Sequence, residues 1–202
     1  MKHLRWAVVG LGIGQVHAAT VASLEDASLV ALCDQDSAVL ERVAAQFPNA
    51  ELYTDFDDLV ENCEIDALVI ATYDDSHAKL AAAALKRGIH VFVEKPLAAT
   101  QEDLLEIAAL LNSDPALRLS SNTLLRLSPR FAWLKSRIAT GSLGRIYHAE
   151  LSYLYGRLEK VADGWRGKSP AYSVTLGGTI HMIDLLLWLT GERPEQIGRA
   201  HV

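Results

Sequence analysis

Cysteine is scarce in this chain of 202 residues. Cys33 and Cys63 are the whole supply, and they form neither a CxxC pair nor any other metal-ligand spacing. A disulfide framework and a zinc module are therefore not expected, and a reducing, cytoplasmic compartment is the simplest setting. Runs of positive charge are missing too. With 25 Asp and Glu against 19 Lys and Arg, a formal net charge of -6, nucleic acid and anionic membrane are not expected as partners. Long apolar runs are also lacking. The longest, Met182–Leu189, contains Asp184 and is far too short to span a bilayer. The N-terminus carries Lys2 and Arg5 before an apolar stretch, as a signal peptide would. That stretch is short and glycine-rich, and Gln15-Val16-His17 follows with no small-residue cleavage site, so it reads as a first strand. No internal repeat and no low-complexity segment is visible.

What is present is an alternation of short apolar runs with helical patterns. Half the residues are apolar, enough for a sizeable core. Leu4–Val9, Ser28–Cys33, Ala67–Ala71 and Ile89–Val93 read as buried strands, with Leu117–Ser121 as a further one. Gln15–Leu24, Ser37–Phe47, Phe56–Asn62, Ser76–Arg87 and Thr100–Asn112 read as helices. Gly88 stops the alanine-rich helix, and Thr100 with Asp103 has the spacing of a capping box. Strands apolar on both faces, separated by helices, imply parallel βαβ units covered on each side. Residues 1–122 are thus expected to form an α/β, Rossmann-type doubly wound parallel sheet.

The texture changes after Asn122. Ser128–Ala139 predicts a helix, Gly141–Gly144 a turn and Arg145–Tyr155 an alternating strand. A polar loop, Gly156–Ser169, precedes a strongly apolar helix, Thr179–Thr190, closed by Gly191. Residues 123–196 read as part of an α+β domain. It has one convincing strand and no partner for it, so its backbone donors and acceptors have nowhere to go. The last six residues, Ile197-Gly-Arg-Ala-His-Val202, are what ATC GGA AGA GCA CAC GTC encodes. That string resembles a sequencing-adapter read, so the natural coding sequence is expected to break off near Gln196. A gene with a different 3′ end would show it.

Three glycines, Gly10, Gly12 and Gly14, follow the first apolar run at alternate positions. A strand that feeds a helix through glycines brings backbone N–H groups and the positive end of the helix dipole to one point, where a phosphate binds. Gly10 suits the tight turn, Gly12 the approach of a pyrophosphate, and Gly14 the packing of the helix on the sheet. Leu11 and Ile13 lie between them. Gln15 stands where a GxGxxG motif has its last glycine. Asp34 ends the second strand, 20 residues after Gly14, where a carboxylate can accept hydrogen bonds from ribose hydroxyls. Gln35 and Asp36 follow, with no arginine, which favours NAD over NADP.

Two further clusters sit at the carboxyl ends of strands, where open α/β sheets bind ligands. Ala71-Thr72 leads to His77, and Val93 leads to Glu94-Lys95-Pro96. A lysine beside a nicotinamide can hold a substrate oxygen and assist proton movement as hydride transfers. Pro96 restricts Lys95 to extended geometry. The acidic group Asp55, Asp57 and Asp58 fits a helix N-terminus better than a metal site.

The glycine stretch with His17, Asp34, Ala71-Thr72 with His77, and Glu94-Lys95-Pro96, in this order, resemble the glucose–fructose oxidoreductase/inositol dehydrogenase (Gfo/Idh/MocA) family. So does Gly177-Gly-Thr-Ile-His-Met-Ile-Asp-Leu-Leu-Leu-Trp-Leu-Thr-Gly191. The resemblance implies an NAD(P)-dependent dehydrogenase acting on a secondary alcohol or ketone of a sugar, inositol or related polyol. It also implies a longer chain that associates with copies of itself. Lys95 would contact the substrate hydroxyl and His181 would accept or relay its proton. The cofactor would meet Gly10–Gly14, Asp34, Ala71, Thr72, His77, Glu94 and Lys95. The substrate would meet Lys95, Asn122, Trp165, Arg166, His181 and Asp184, with Arg126 and Lys168 near. No metal is needed for such chemistry. Family members often carry aspartate four residues before the histidine, where this chain has Gly177. That leaves Asp184, Tyr172 or Asp163 to supply a missing group. It also opens an alternative, a dinucleotide-binding regulatory or scaffold protein without catalysis, or an inactive fragment.

Overall fold

The structure is a computed structural model. It describes residues 3–154, 156, 159, 163, 164, 167 and 172–195. The chain divides into two compact units, Met1–Asn122 and Thr123–Val202.

The first unit is a six-stranded parallel sheet with helices on both faces. Its strands are β1 (Leu4–Val9), β2 (Ala27–Cys33), β3 (Glu51–Tyr53), β4 (Ala67–Ile70), β5 (His90–Val93) and β6 (Leu119–Ser121). Their order across the sheet is β3-β2-β1-β4-β5-β6. Every neighbouring pair is parallel. Five helices connect them: α1 (Gly14–Ala22), α2 (Ser37–Ala44), α3 (Phe56–Asn62), α4 (His77–Lys86) and α5 (Gln101–Ser113). The order reverses around β1 and β4, and such a switch point opens a crevice at the carboxyl ends of the strands.

Side-chain alternation along the strands builds two cores. Ala7, Val9, Ala31, Cys33, Leu68 and Ile70 enter one layer with Leu59, Ala81, Leu85 and Ile107 from α3, α4 and α5. Val8, Leu32 and Val69 point the other way and meet Ala18, Val21, Leu40 and Val43 of α1 and α2. Both faces are covered, which is why the strands read as continuous apolar runs. Truncating the fully buried Ile70 to alanine should cost about 2–5 kcal/mol.

The helix starts are made by short polar side chains. Asp36 caps α2 through Ala38 N and Val39 N, and Asp55 caps α3 through Asp57 N and Asp58 N. Asp57 and Asp58 then lie in the first turn, where the helix dipole favours them. Thr100 caps α5 by accepting from Asp103 N at 3.1 Å. The three-residue β3 has no periodicity to announce it.

In the second unit a 3₁₀ turn (Leu124–Leu127) precedes α6 (Pro129–Ala139), and α7 (Ile180–Thr190) follows a single π-helical turn (Thr175–Thr179). Gly191, at φ +75°, closes α7 in the left-handed region. The strand expected at Arg145–Tyr155 is not formed over residues 145–154, and Tyr155 lies outside the described residues. Among the described residues no strand lies beside it to hydrogen-bond with, and Tyr147 and Leu154 are almost fully exposed. Trp165, Arg166, Lys168 and residues 197–202 lie outside the described residues. Among the described residues, no helix is long and apolar enough to cross a membrane.

Candidate functional site

The chain leaves β1 at Val9 and turns at Gly10, whose φ is +83°. A Cβ there would lie 2.6 Å from Ala71 O and 2.7 Å from Thr72 N. Position 10 therefore excludes a side chain twice, by its backbone conformation and by the β4 loop against it. At Gly12 nothing lies within 4 Å of an added Cβ, so the bare backbone there faces open space. Gly14 begins α1 against Val8 and Ala71, whose atoms an added Cβ would meet at 3.1 and 3.3 Å. The first and third glycines serve the fold, and the second leaves room.

Asp34 ties the end of β2 to this turn. Its Oδ2 accepts from Leu11 N at 2.7 Å and its Oδ1 from Asp36 N at 3.0 Å. The carboxylate is anchored beside the helix N-terminus. Leu11, with its side chain buried and its N–H given to Asp34, contributes to the loop's shape.

Glu94 is the hub at the end of β5. Its Oε1 accepts from His17 Nε2 on α1 at 2.9 Å and from Asn122 Nδ2 beyond β6 at 2.7 Å. Its Oε2 accepts from Lys95 N at 3.3 Å. Burial pushes this carboxyl upward. The hydrogen bonds from His17 and Asn122, the charge of His17 and the Lys95 N–H outweigh that, and its pKa falls below the ordinary value. His17 also sets its ring edge-on to Phe92, with centroids 5.3 Å apart. Carboxylate, imidazole and amide thus join α1, β5 and β6 around the peptide of Lys95. The Lys95–Pro96 bond is cis.

His77, expected to meet the cofactor, is the first residue of α4. It is 1 % exposed. Its Nδ1 lies 2.7 Å from Pro96 O and its Nε2 3.2 Å from Thr72 O. Both ring nitrogens face backbone carbonyls, so the ring lies packed between two loops.

The first unit therefore gathers Gly10–Gly14, Asp34, Ala71, Thr72, Glu94, Lys95 and Asn122 at the carboxyl ends of the strands. Asn122 is there as Glu94's partner. Periodicity and spacing could not announce the His17–Glu94–Asn122 cluster, because its members come from separate elements.

His181 and Asp184 stand one turn apart on α7 in the second unit. Asp184, expected at the substrate, is clasped by Arg126 of the 3₁₀ turn, with Nε to Oδ2 at 2.9 Å and Nη2 to Oδ1 at 2.5 Å. A bidentate pair of this kind fixes the turn to the helix. The hydrogen bond from Arg126 to Asp184 raises the guanidinium pKa further. A Cβ at Gly177 would lie 2.5 Å from Tyr172 Cε2 and Oη. A side chain at 177 thus requires the tyrosine ring to move, and the bare π turn and Tyr172 go together.

Comparison with known proteins accounts for both units. Residues 4–121 match the GFO/IDH/MocA oxidoreductase family, NAD-binding Rossmann fold. Residues 131–202 match the GFO/IDH/MocA C-terminal domain. The chain belongs to this family. It is 29% identical to inositol 2-dehydrogenase 4 of Saccharopolyspora erythraea over 202 residues, 99% of this chain and 58% of that protein. Myo-inositol 2-dehydrogenase of Lactobacillus plantarum superposes with a TM-score of 0.84 at 27% identity, over 96% of this chain and 58% of that one. Scyllo-inositol dehydrogenase of Lactobacillus casei, solved with NAD(H) and scyllo-inositol, gives 0.80 at 27% identity, over 94% and 57%. The chain thus spans a little over half the length of these relatives.

Proposed function

We propose that this chain binds NAD and forms the cofactor-binding part of a dehydrogenase that oxidises a secondary alcohol of an inositol, or of a related polyol or sugar, or runs the reverse. The observation that carries the reading is the join of Asp34 to the glycine turn. A carboxylate at the end of β2 offers acceptor oxygens on the ribose side of the site, while open backbone at Gly12 stands just before the start of α1. The N–H groups from Gly12 onward are suited to a pyrophosphate. Asp34 is suited to ribose hydroxyls and repels a 2′-phosphate, which favours NAD. The relatives named above, inositol dehydrogenases, one of them solved with NAD(H) and scyllo-inositol, support the substrate class.

The cofactor, when bound, supplies the hydride acceptor, and the protein supplies placement and electrostatics. Lys95, held by its backbone between Glu94 and Pro96, is assigned to orient the substrate oxygen. His181 is assigned as the group that takes the hydroxyl proton as hydride leaves. Asp184, paired with Arg126, is assigned no role in the transfer.

The test is NAD reduction across a panel of inositols and sugar alcohols, followed by the absorbance of the reduced nicotinamide. Turnover with at least one inositol is expected, and Lys95→Met should remove it while leaving NADH affinity within about threefold. Turnover that survives Lys95→Met would refute the assignment.

A further inference from the structure

We propose that His77 is a positioning residue for Lys95. The lysine's own peptide is held at its amino side, where Lys95 N donates to Glu94 Oε2. On its carboxyl side the next carbonyl, that of Pro96, is held by His77 Nδ1 at 2.7 Å. The same ring reaches Thr72 O with Nε2 at 3.2 Å. Ala71 and Thr72 are the backbone packed against Gly10, close enough to exclude a Cβ there. One imidazole therefore stands between the loop after β4, which it packs against, and the loop that carries the lysine, which it holds.

Chemistry decides which bond does the positioning. Carbonyl oxygens only accept, so a ring nitrogen holds one only by donating a proton. A neutral imidazole has a single N–H. The shorter contact assigns it to Nδ1, donating to Pro96 O; Nε2 then carries no proton, and its 3.2 Å approach to Thr72 O is packing and not a hydrogen bond. The ring is 1 % exposed, so no water competes for the Pro96 carbonyl, and removing the donor leaves that carbonyl without its partner. The first residue of α4 then has two duties, to start the helix and to set the lysine loop.

Asparagine and glutamine separate the two ring positions. The amide nitrogen of Asn falls near Nδ1 of His, and that of Gln near Nε2. The inference rests on Lys95 being the catalytic lysine, so its readouts are chosen to need neither cofactor nor turnover. Lysine amines of the 202-residue chain are dimethylated with ¹³C-formaldehyde, which keeps their charge, and the Lys95 signal is assigned by its loss in Lys95→Arg. The expected result is a Lys95 signal unchanged in His77→Asn and displaced in both His77→Gln and His77→Phe. A signal unchanged in all three, or one kept by Gln and lost by Asn, overturns the proposal. A second measurement uses the unaltered chain and covers the case where Gln and Phe variants do not fold. Long-range ¹H–¹⁵N spectra of the neutral ring should show the proton on Nδ1, and a proton on Nε2 overturns it. Where turnover is measured, His77→Phe should lower kcat about tenfold or more and leave the NADH Kd within about threefold. Absent turnover with the Lys95 signal behaving as expected counts against the lysine's catalytic role and not against the brace.

Discussion

Gly12 and Gly10 stand two residues apart in one turn, yet substitutions at them should fail for opposite reasons. Gly12→Val adds atoms where nothing lies within 4 Å, and its backbone is not in the left-handed region. The folded chain should therefore keep its stability to within about 0.5 kcal/mol. The added side chain fills the approach to the helix N-terminus. Losing one or two charge-assisted hydrogen bonds, roughly 1.5–3 kcal/mol each, weakens dinucleotide binding by about 10- to 10,000-fold. Gly10→Ala reverses the balance. Its φ of +83° and the 2.6 Å approach to Ala71 O both act on the fold. Left-handed backbone costs a non-glycine residue about 1–2 kcal/mol, and the displaced β4 loop adds to that. Urea denaturation reports the stability of each variant, and quenching or enhancement of nicotinamide fluorescence reports binding. A stable Gly12→Val chain that binds NADH as the unaltered chain does would refute the placement of the pyrophosphate.

Asp34→Ser should narrow the preference for NADH over NADPH, measured by the ratio of the two Kd values. It should also weaken both, because Leu11 N loses its 2.7 Å acceptor. Glu94 has a pKa lowered in the folded chain, so its charged form contributes stability above the unfolded value of about 4.3, and that stability is lost as pH falls through the lower folded value. The urea midpoint should fall between about pH 5 and pH 3 more steeply in the unaltered chain than in Glu94→Gln. Arg126→Ala removes both hydrogen bonds to a carboxylate whose side chain is only 14% exposed. It should destabilise the second unit by about 1–3 kcal/mol, seen as a lower thermal midpoint, while NADH binding at the first unit stays as it was.

Much of the first unit could be read from the residues because each element carries its own signal. Leu4–Val9 and Phe56–Asn62 fall where the apolar run and the Asp55 cap put them. The parallel sheet follows from strands that are apolar on both faces. The glycine turn and Asp34 were legible as types and spacing, and the structure adds that they are bonded to each other through Leu11 N. The cluster around Glu94 was not legible in the same way. His17 and Asn122 reach it across 77 and 28 residues, and no local pattern records such a meeting. His77 was legible as a position in the pattern, and the structure adds its burial and its two carbonyl neighbours. Arg145–Tyr155 misled because alternation describes one strand, whereas a strand exists only with a ladder. The π turn before His181 escaped notice because its identity depends on Tyr153 and Tyr172 packing where Gly178 and Gly177 have no side chains.

Titration of the purified chain with NADH and NADPH, followed by nicotinamide fluorescence, tests the central claim most directly. Saturable binding with NADH preferred is the result expected from Asp34 joined to an open glycine turn. A folded chain that binds neither, or that prefers NADPH, would contradict it.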